Sequence, residues 1–457
     1  MMTSELPVAP TGSRIRDKID HFARNYPARL ALIVFALIIL IISSLLCLPI
    51  ATTDAPPAHI VEALFTATSA VCVTGHSIVD TATYWSPFGQ TAIAVGIQIG
   101  GLGVMTLASL IGLAISRHIG LTQRILAANE TGSRLGEVGG LLKVVIITSM
   151  SAETLIALAL LPSFMDREGS FLKGLFHAVF TSISSFNNAG FIIEPNLGFA
   201  VGNWAICVPI MMGTICGGLG FPVMLNIAQN PRSPRRWTIH TKLTVTTYAL
   251  VWITAVVMIG AQEWNGAFRD LTLNQHILAT LFHATTVRST GISSVDIASM
   301  SQGTWLTMDA LMFIGSGSAS TGGGIKVSTF AVLVLAILAE ARGDRDTEVF
   351  GKRLPPDVIR LAISAAFLGA FVVGVASLAI LQISGEPLGQ VLFDTVSAFA
   401  TCGLSTGLAQ NLPTAGKLVL IVVMYLGRVG TMTFAGALAL RSRRRVIRLP
   451  EDRPIIG

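Results

Sequence analysis

Apolar residues run along this chain in blocks of two lengths. Long blocks cover 30–50, 88–116, 141–162, 203–228, 241–262, 303–340, 358–384 and 415–440. Each is long enough to cross about 30 Å of hydrocarbon as a helix. Between the members of each successive pair lies a shorter stretch of mixed polarity, at 58–80, 171–196, 273–297 and 387–410. These stretches are half-apolar, rich in Ser, Thr and small residues, and too short and polar to span. A re-entrant helix followed by an extended return fits them. The pattern predicts an all-α polytopic membrane protein with eight transmembrane helices and four re-entrant helices.

The four short stretches align on one glycine. They read FTATSAVCVTG (Phe65 to Gly75), FTSISSFNNAG (Phe180 to Gly190), LFHATTVRSTG (Leu281 to Gly291) and FDTVSAFATCG (Phe393 to Gly403). Six residues before the glycine stand Ser69, Ser184, Thr285 and Ser397, and the glycines are 115, 101 and 112 residues apart. This is an internal repeat of helix, re-entrant segment, helix, occurring four times, and it predicts four units around a central pore. The expected divisions are a segment at 1–29, repeats at 30–118, 139–230, 240–340 and 357–440, and a tail at 441–457.

Composition agrees with a membrane setting. Charged residues make up 12% of the 457 and hydrophobic ones 52%, against roughly 25% charged in soluble proteins. That excludes a soluble multidomain chain of this length. The 44 glycines suit closely packed membrane helices or backbone that lines a cavity. Net charge is +6, but its distribution points to topology rather than to nucleic acid. Of 31 Lys and Arg, 24 lie in 14–29, 117–143, 232–242, 342–360 and 441–453. Five (Arg167, Lys173, Arg269, Arg288, Lys417) are expected on the opposite side, and Lys326 and Arg428 fall inside spans. The asymmetry predicts a multi-pass plasma-membrane protein with both termini cytoplasmic and the re-entrant segments entering from outside. The polar, basic start followed by a long apolar run does not read as a cleavable signal peptide. The five cysteines are scattered and read as small buried hydrophobes.

A permeating cation must exchange its water shell for oxygens, and four short backbone stretches around an axis supply them as carbonyls. A glycine at one equivalent place in each stretch permits the backbone conformation this needs. A helix ending just before it presents a partly negative C-terminus to a cation. Tight turns alone account for one such glycine but poorly for four in register.

On these residues the chain resembles the Trk/Ktr/HKT superfamily of potassium transporters, from about residue 30 to the end. The likeness rests on VCVTG (71–75), SFNNAG (185–190), VRSTG (287–291), FATCGLSTG (399–407), IGGLGVMT (99–106), GGLGFPV (217–223) and RVGTMTF (428–434). Four repeats without an extra N-terminal helix pair look like the Ktr-type (KtrB-like) membrane subunit. The resemblance implies potassium uptake through a filter of backbone carbonyls at Val73, Thr74, Gly75, Asn188, Ala189, Gly190, Ser289, Thr290, Gly291, Thr401, Cys402 and Gly403. It also implies a homodimer surrounded by membrane lipids and a cytoplasmic ring-forming regulatory subunit (KtrA-like) that binds ATP or ADP. The tail EDRPIIG (451–457) resembles one that inserts at the family's dimer interface. Potassium is the expected ion, sodium dependence is left open, and no organic cofactor is expected. Two departures stand out: His76 after the first glycine, and Cys402 before the fourth. Absence of TVGYG makes a less selective potassium/sodium channel the alternative.

The sixth block is interrupted by GSGSASTGGGIKVST (315–329). Such a run cannot form a continuous helix, and irregular backbone at membrane depth must line water or be buried in protein. It resembles the family's intramembrane gating loop, which implies a gate built from Gly315, Ser316, Gly317, Ser318, Gly322, Gly323 and Gly324 with Lys326 and Arg428. Charges at this depth are functional suspects. For Lys326, snorkelling toward the cytoplasm is the competing expectation. Glu153, inside the third block, reads as part of a polar cluster. His76 is expected at the outer mouth, where protonation would oppose cation passage, and His177 and His283 read as structural. No catalytic motif is present: there is no HExxH or P-loop, and GGGIK lacks the P-loop spacing. A membrane enzyme is therefore a weak alternative, a passive cation channel a nearer one. A non-ionic carrier would need two inverted halves instead of a fourfold repeat in one orientation.

Overall fold

Hydrophobic runs set the helices of this chain, and polar or glycine residues set their ends. The computed structural model describes residues 27–53, 57–117, 138–194 and 197–430. The tail 451–457 lies outside them, as do 431–434 of the RVGTMTF motif. In order come α1 (Pro27–Leu46), α2 (Ile60–Val71), α3 (Pro87–Arg117), α4 (Val138–Glu168) and α5 (Phe171–Phe186). Next are α6 (Trp204–Leu219), α7 (Phe221–Gln229), α8 (Ile239–Glu263), α9 (Leu273–Thr286), α10 (Gln302–Ile314) and α11 (Val327–Arg342). A two-residue hairpin, β1 (Glu348–Val349) and β2 (Lys352–Arg353), precedes α12 (Pro356–Ser384), α13 (Leu388–Phe399), α14 (Leu408–Asn411) and α15 (Thr414–Tyr425). Thr238 and Ser301 cap α8 and α10 by accepting from the Thr241 and Thr304 amides at 3.2 Å. Gly343 and Gly385 close α11 and α12 in the left-handed region.

Among the described residues, four helices are long and apolar enough to cross a membrane: Pro87–Thr106 of α3, Lys143–Glu168 of α4, α8 and α12. The bent pair α6–α7 counts as a fifth if taken as one span. Phe367, Phe371, Val375 and Leu378 on α12 are each more than half exposed. A continuous apolar stripe of this kind needs lipid or a partner against it.

The short helices α2, α5, α9 and α13 hold the centre. α2, α5 and α13 each pack against the helices before and after them in sequence and α9 against α8 before it, and all four also pack against a helix from another part of the chain. α5 touches α3, α9 touches α6, α13 touches α10, and α2 touches α15. The last contact joins the two ends of the described chain, so the packing is closed. Three of the short helices end against a glycine. A Cβ at Gly100, Gly217 or Gly427 would overlap the carbonyl oxygen of Val71, Phe186 or Phe399, the final residues of α2, α5 and α13.

Two long blocks are broken. The block at 303–340 is interrupted as expected, but over 315–326 instead of 315–329. Helix resumes at Val327, whose amide donates to the Ser316 carbonyl at 2.9 Å. The block at 203–228 was expected to be continuous, yet it bends by 97° at Gly220, where φ is +91°. The cause is the 315–326 loop itself. Gly317 and Thr321 donate to the carbonyls of Gly218 and Gly217 at 2.8 and 3.2 Å, and Phe221 donates to Ala319 at 3.3 Å. Backbone groups freed by the break in one block are satisfied by the break in the other.

Gly217→Ala should therefore lower the melting temperature of the detergent-solubilised protein, because overpacking a tight contact costs about 1–3 kcal/mol. Gly303→Ala, where an added Cβ meets only the Ser301 hydroxyl at 3.8 Å, should leave it unchanged or raise it. Equal melting of the two variants would contradict the packing described.

Candidate functional site

Each short helix ends four or five residues before its repeat glycine, with Cys72, Asn187, Val287 and Ala400 as C-caps. In three segments the chain then folds back in the same way. The Thr74, Ala189 and Cys402 amides donate to the Ser69, Ser184 and Ser397 carbonyls at 2.7, 2.7 and 2.9 Å. Val73, Asn188 and Thr401 take φ of +56°, +59° and +48°, unusual for residues with side chains. The third segment departs from this. Ser289 is not in the left-handed region, and the amides of Ser289, Thr290 and Gly291 all donate to Thr286 at 3.0–3.2 Å.

The four glycines meet. Gly75, Gly190, Gly291 and Gly403 have φ of +88°, +76°, +64° and +97°. A Cβ on Gly75 would overlap the Ala189 carbonyl oxygen, one on Gly190 that of Thr290, one on Gly291 that of Cys402, and one on Gly403 that of Thr74. Each glycine thus abuts the residue preceding the glycine of the next segment, and the fourth returns to the first. All twelve residues singled out at 73–75, 188–190, 289–291 and 401–403 belong to this ring of segments. Ser69, Thr74, Ser184, Ser289 and Thr401 around it are buried with side-chain hydroxyls that have no protein partner.

The 315–326 loop lies against this ring. Asn188 Nδ2 donates to Thr321 Oγ1 at 2.7 Å, while Thr290 Oγ1 donates to Asn188 Oδ1 at 2.6 Å. A Cβ on Gly322 would overlap the Ser289 hydroxyl, and one on Gly323 the Thr401 hydroxyl. Gly315 abuts Gly323 and Gly324, Gly317 abuts Gly218 and Leu219, and Ser316 and Ser318 bond to Ser320 and Ser328 at 2.8 and 2.6 Å. Arg428, buried in a π-helical turn at Leu426–Gly430, donates through Nη1 to the Thr321 carbonyl. Its Nε and Nη2 have no protein partner. Lys326 does not snorkel outward: Nζ turns back onto the carbonyls of Gly322 and Gly323.

Two basic expectations need correction. Arg288, expected on the outer side, is buried. It donates to the Tyr248 and Gly315 carbonyls at 3.2 and 3.1 Å and lies 3.5 Å over the Tyr248 ring. It ties the third segment to the start of the loop. His76 does not face an outer mouth. The chain turns at Gly75, and His76 is fully buried, with Nδ1 4.0 Å from an Asp394 carboxylate oxygen. An acid effect from a solvent-facing His76 therefore has no exposed imidazole behind it.

Asp394 was missed as a site residue. It accepts from the Ser405 hydroxyl at 2.6 Å and from the Thr406 amide and hydroxyl at 3.1 and 2.8 Å, which fixes the return after Gly403. An acid inside a short apolar helix is the available signal. Cys402 uses more than its backbone, since its thiol donates to the Val287 carbonyl at 3.1 Å. Glu153 accepts from Gln98 and Asn187 at 3.0 Å and so braces the C-terminus of α5. His283 bridges the Ala279 carbonyl and the Ser293 hydroxyl at 2.9 and 3.0 Å.

The class defined by these features is a polytopic helical membrane protein in which four backbone segments meet at their glycines. The chain belongs to the TrkH family of cation transport proteins, whose family model matches residues 28–444. It is a transport protein and not an enzyme. It is 38% identical over 446 residues to Ktr system potassium uptake protein B of Bacillus subtilis, covering 97% of this chain and 99% of that one. It is 33% identical to the potassium/sodium uptake protein NtpJ of Enterococcus hirae, covering 95% and 98%. The potassium transporter TrkH from Vibrio parahaemolyticus shares the fold with a TM-score of 0.68 and 18% identity, over 87% of this chain and 83% of that one.

Near the second segment, Glu194 lies 2.9 Å from His177 Nδ1 and accepts from Arg167 at 3.3 Å. Burial pushes its carboxyl up, but the His177 hydrogen bond and the Arg167 charge outweigh burial and hold it below its ordinary range. A lowered folded value stabilises the fold above the unfolded value and is lost as pH falls through the folded one. Glu194→Gln should melt below the wild type at pH 7. The gap should close as pH falls below about 4, which a melting series across pH would read.

Proposed function

We propose that this protein takes up potassium across the plasma membrane through a fourfold pseudo-symmetric filter lined by carbonyls. The carrying observation is the closed ring of four glycines, each abutting the residue before the next glycine. In this reading the eight apolar blocks are eight spans, and the four short helices are re-entrant and enter from outside. Both termini are cytoplasmic, as the basic segments favour. The C-terminal ends of α2, α5, α9 and α13 favour a cation at the ring, and the carbonyls of residues 73–75, 188–190, 289–291 and 401–403 replace its water. No side chain fits beyond Cα at the glycines, so the ligands there are backbone oxygens.

The 315–326 loop is the gate in this reading. Its ties to Asn188 and Arg428 hold it against the ring, Lys326 clips the loop's own Gly322 and Gly323 carbonyls, and the positive charge of Arg428 opposes cation passage on that side. The segments at 232–242 and 342–360 offer basic surface to a cytoplasmic nucleotide-binding subunit. Ktr system potassium uptake proteins are the relatives that motivate such a partner, and a homodimer in lipid is the expected assembly. A less selective potassium/sodium channel is the second reading. It is favoured by the irregular third segment, which weakens fourfold equivalence, and by the name of the Enterococcus hirae relative.

Two experiments test the proposal. Gly291→Ser should abolish growth rescue and potassium uptake in a potassium-uptake-deficient cell at equal membrane expression, because its Cβ would enter the Cys402 carbonyl. Unchanged potassium affinity would overturn the filter. Arg428→Gln should raise potassium flux into liposomes in the absence of any cytoplasmic subunit, by releasing the Thr321 carbonyl and removing the charge. Unchanged flux would remove Arg428 from the gate.

A further inference from the structure

Away from the ring, three elements converge on one small cluster. α4 ends at Glu168, α5 carries His177 nearly two turns after its start, and the return after Gly190 carries Glu194. One ligand atom from each, two carboxylate oxygens and the His177 ring nitrogen, lies within 4.8 Å of the others. We infer that Glu168, His177 and Glu194 form a binding site for a first-row divalent metal ion of the zinc type. The inference goes beyond transport and does not need the filter assignment to hold.

The donor set decides the class of ion. Zinc takes three protein ligands of the nitrogen and carboxylate kind and completes its shell with water. Calcium and magnesium need six or more oxygens and make no use of an imidazole. Zinc–ligand distances of about 2.0–2.2 Å place ligand atoms roughly 3.4 Å apart. His177 Nδ1 and Glu194 Oε1, at 2.9 Å, are near that spacing already. Glu168 is half-buried at a helix end, and its flexible side chain can close the remaining gap.

The surroundings also suit a cation. Arg167 occupies the other oxygen of Glu194 and is itself held 3.7 Å over the Phe199 ring. Oε1 is thereby left directed at His177. With a neutral imidazole, Glu168, Glu194 and Arg167 leave a net charge of about −1 beside the His177 nitrogen, which an incoming divalent ion would meet. The His177 side chain keeps 18% exposure, so the cluster is reachable without opening the core. A bound ion would join the end of α4, the body of α5 and the segment leaving Gly190.

The test is zinc titration of the full-length protein in detergent by calorimetry, with cobalt absorption as a second readout of coordination. The wild type should bind zinc saturably in the micromolar range and melt at a higher temperature with zinc present. Glu168→Gln leaves the Arg167–Glu194 pair intact and should weaken zinc binding by more than about tenfold, since even a residue supporting a ligand is worth that much. His177→Gln should do the same and abolish the tetrahedral cobalt spectrum. The site is overturned if the wild type shows no saturable binding, or if Glu168→Gln, melting like the wild type without metal, binds zinc equally well.

Discussion

The closed contact between four glycines and four carbonyls is the constraint on which the rest of the structure depends. A Cβ at Gly75, Gly190, Gly291 or Gly403 has nowhere to go except into the neighbouring segment's backbone. The approach requires each segment to arrive at the same depth and angle, which requires the short helix before it to end at the same point. In three segments that ending is fixed by a backbone hydrogen bond to the residue six before the glycine. Gly100, Gly217 and Gly427 let the following helix press on the end of α2, α5 and α13. Small residues here set distances between backbones, as they do wherever membrane helices pack closely.

The ring in turn explains where polar groups are buried. Hydrogen bonds in this region run between segments remote in sequence: Thr290 to Asn188, Asn188 to Thr321, Arg428 to Thr321, and Arg288 to Gly315. Two arginines at near-zero exposure are costly unless most of their donors are met. Arg288 meets backbone carbonyls and the face of Tyr248. Arg428 keeps Nε and Nη2 without a protein partner, an arrangement that favours water or an anionic group beside the loop. Apart from Ile325, which is buried in the apolar core, the loop is held by polar contacts, and polar contacts are the kind that water can replace.

Much of this was legible in the sequence because it is periodic. Hydrophobic block length located the helices, and one glycine in four similar strings located the segments that meet. The broken block at 315–326 was legible from Gly and Ser density. The bend at Gly220 was not. Its cause is hydrogen bonding from a loop a hundred residues away, while GGLGF taken alone sits inside an apolar run. Arg288 and His76 lie deeper than their positions along the chain imply for a related reason: the turn at each repeat glycine folds the chain back into the core. Asp394 escaped notice because its partners, Ser405 and Thr406, lie beyond the glycine that ended the aligned string.

The third segment shows how far the fourfold pattern extends. It keeps the glycine, the positive φ and the contact with the next carbonyl, but it lacks the left-handed residue two places earlier and bonds to Thr286 instead of Thr285. It is also the segment followed by the broken helix α10–α11, and a Cβ on Gly322 of that break would enter the Ser289 hydroxyl. Val73, Asn188 and Thr401 project from a left-handed backbone, whereas Ser289 does not, and the loop occupies the space beside it. The irregular segment and the irregular helix therefore fit one another. In one chain, unlike a symmetric tetramer, a single repeat can change to accommodate a loop while all four glycine–carbonyl contacts are kept.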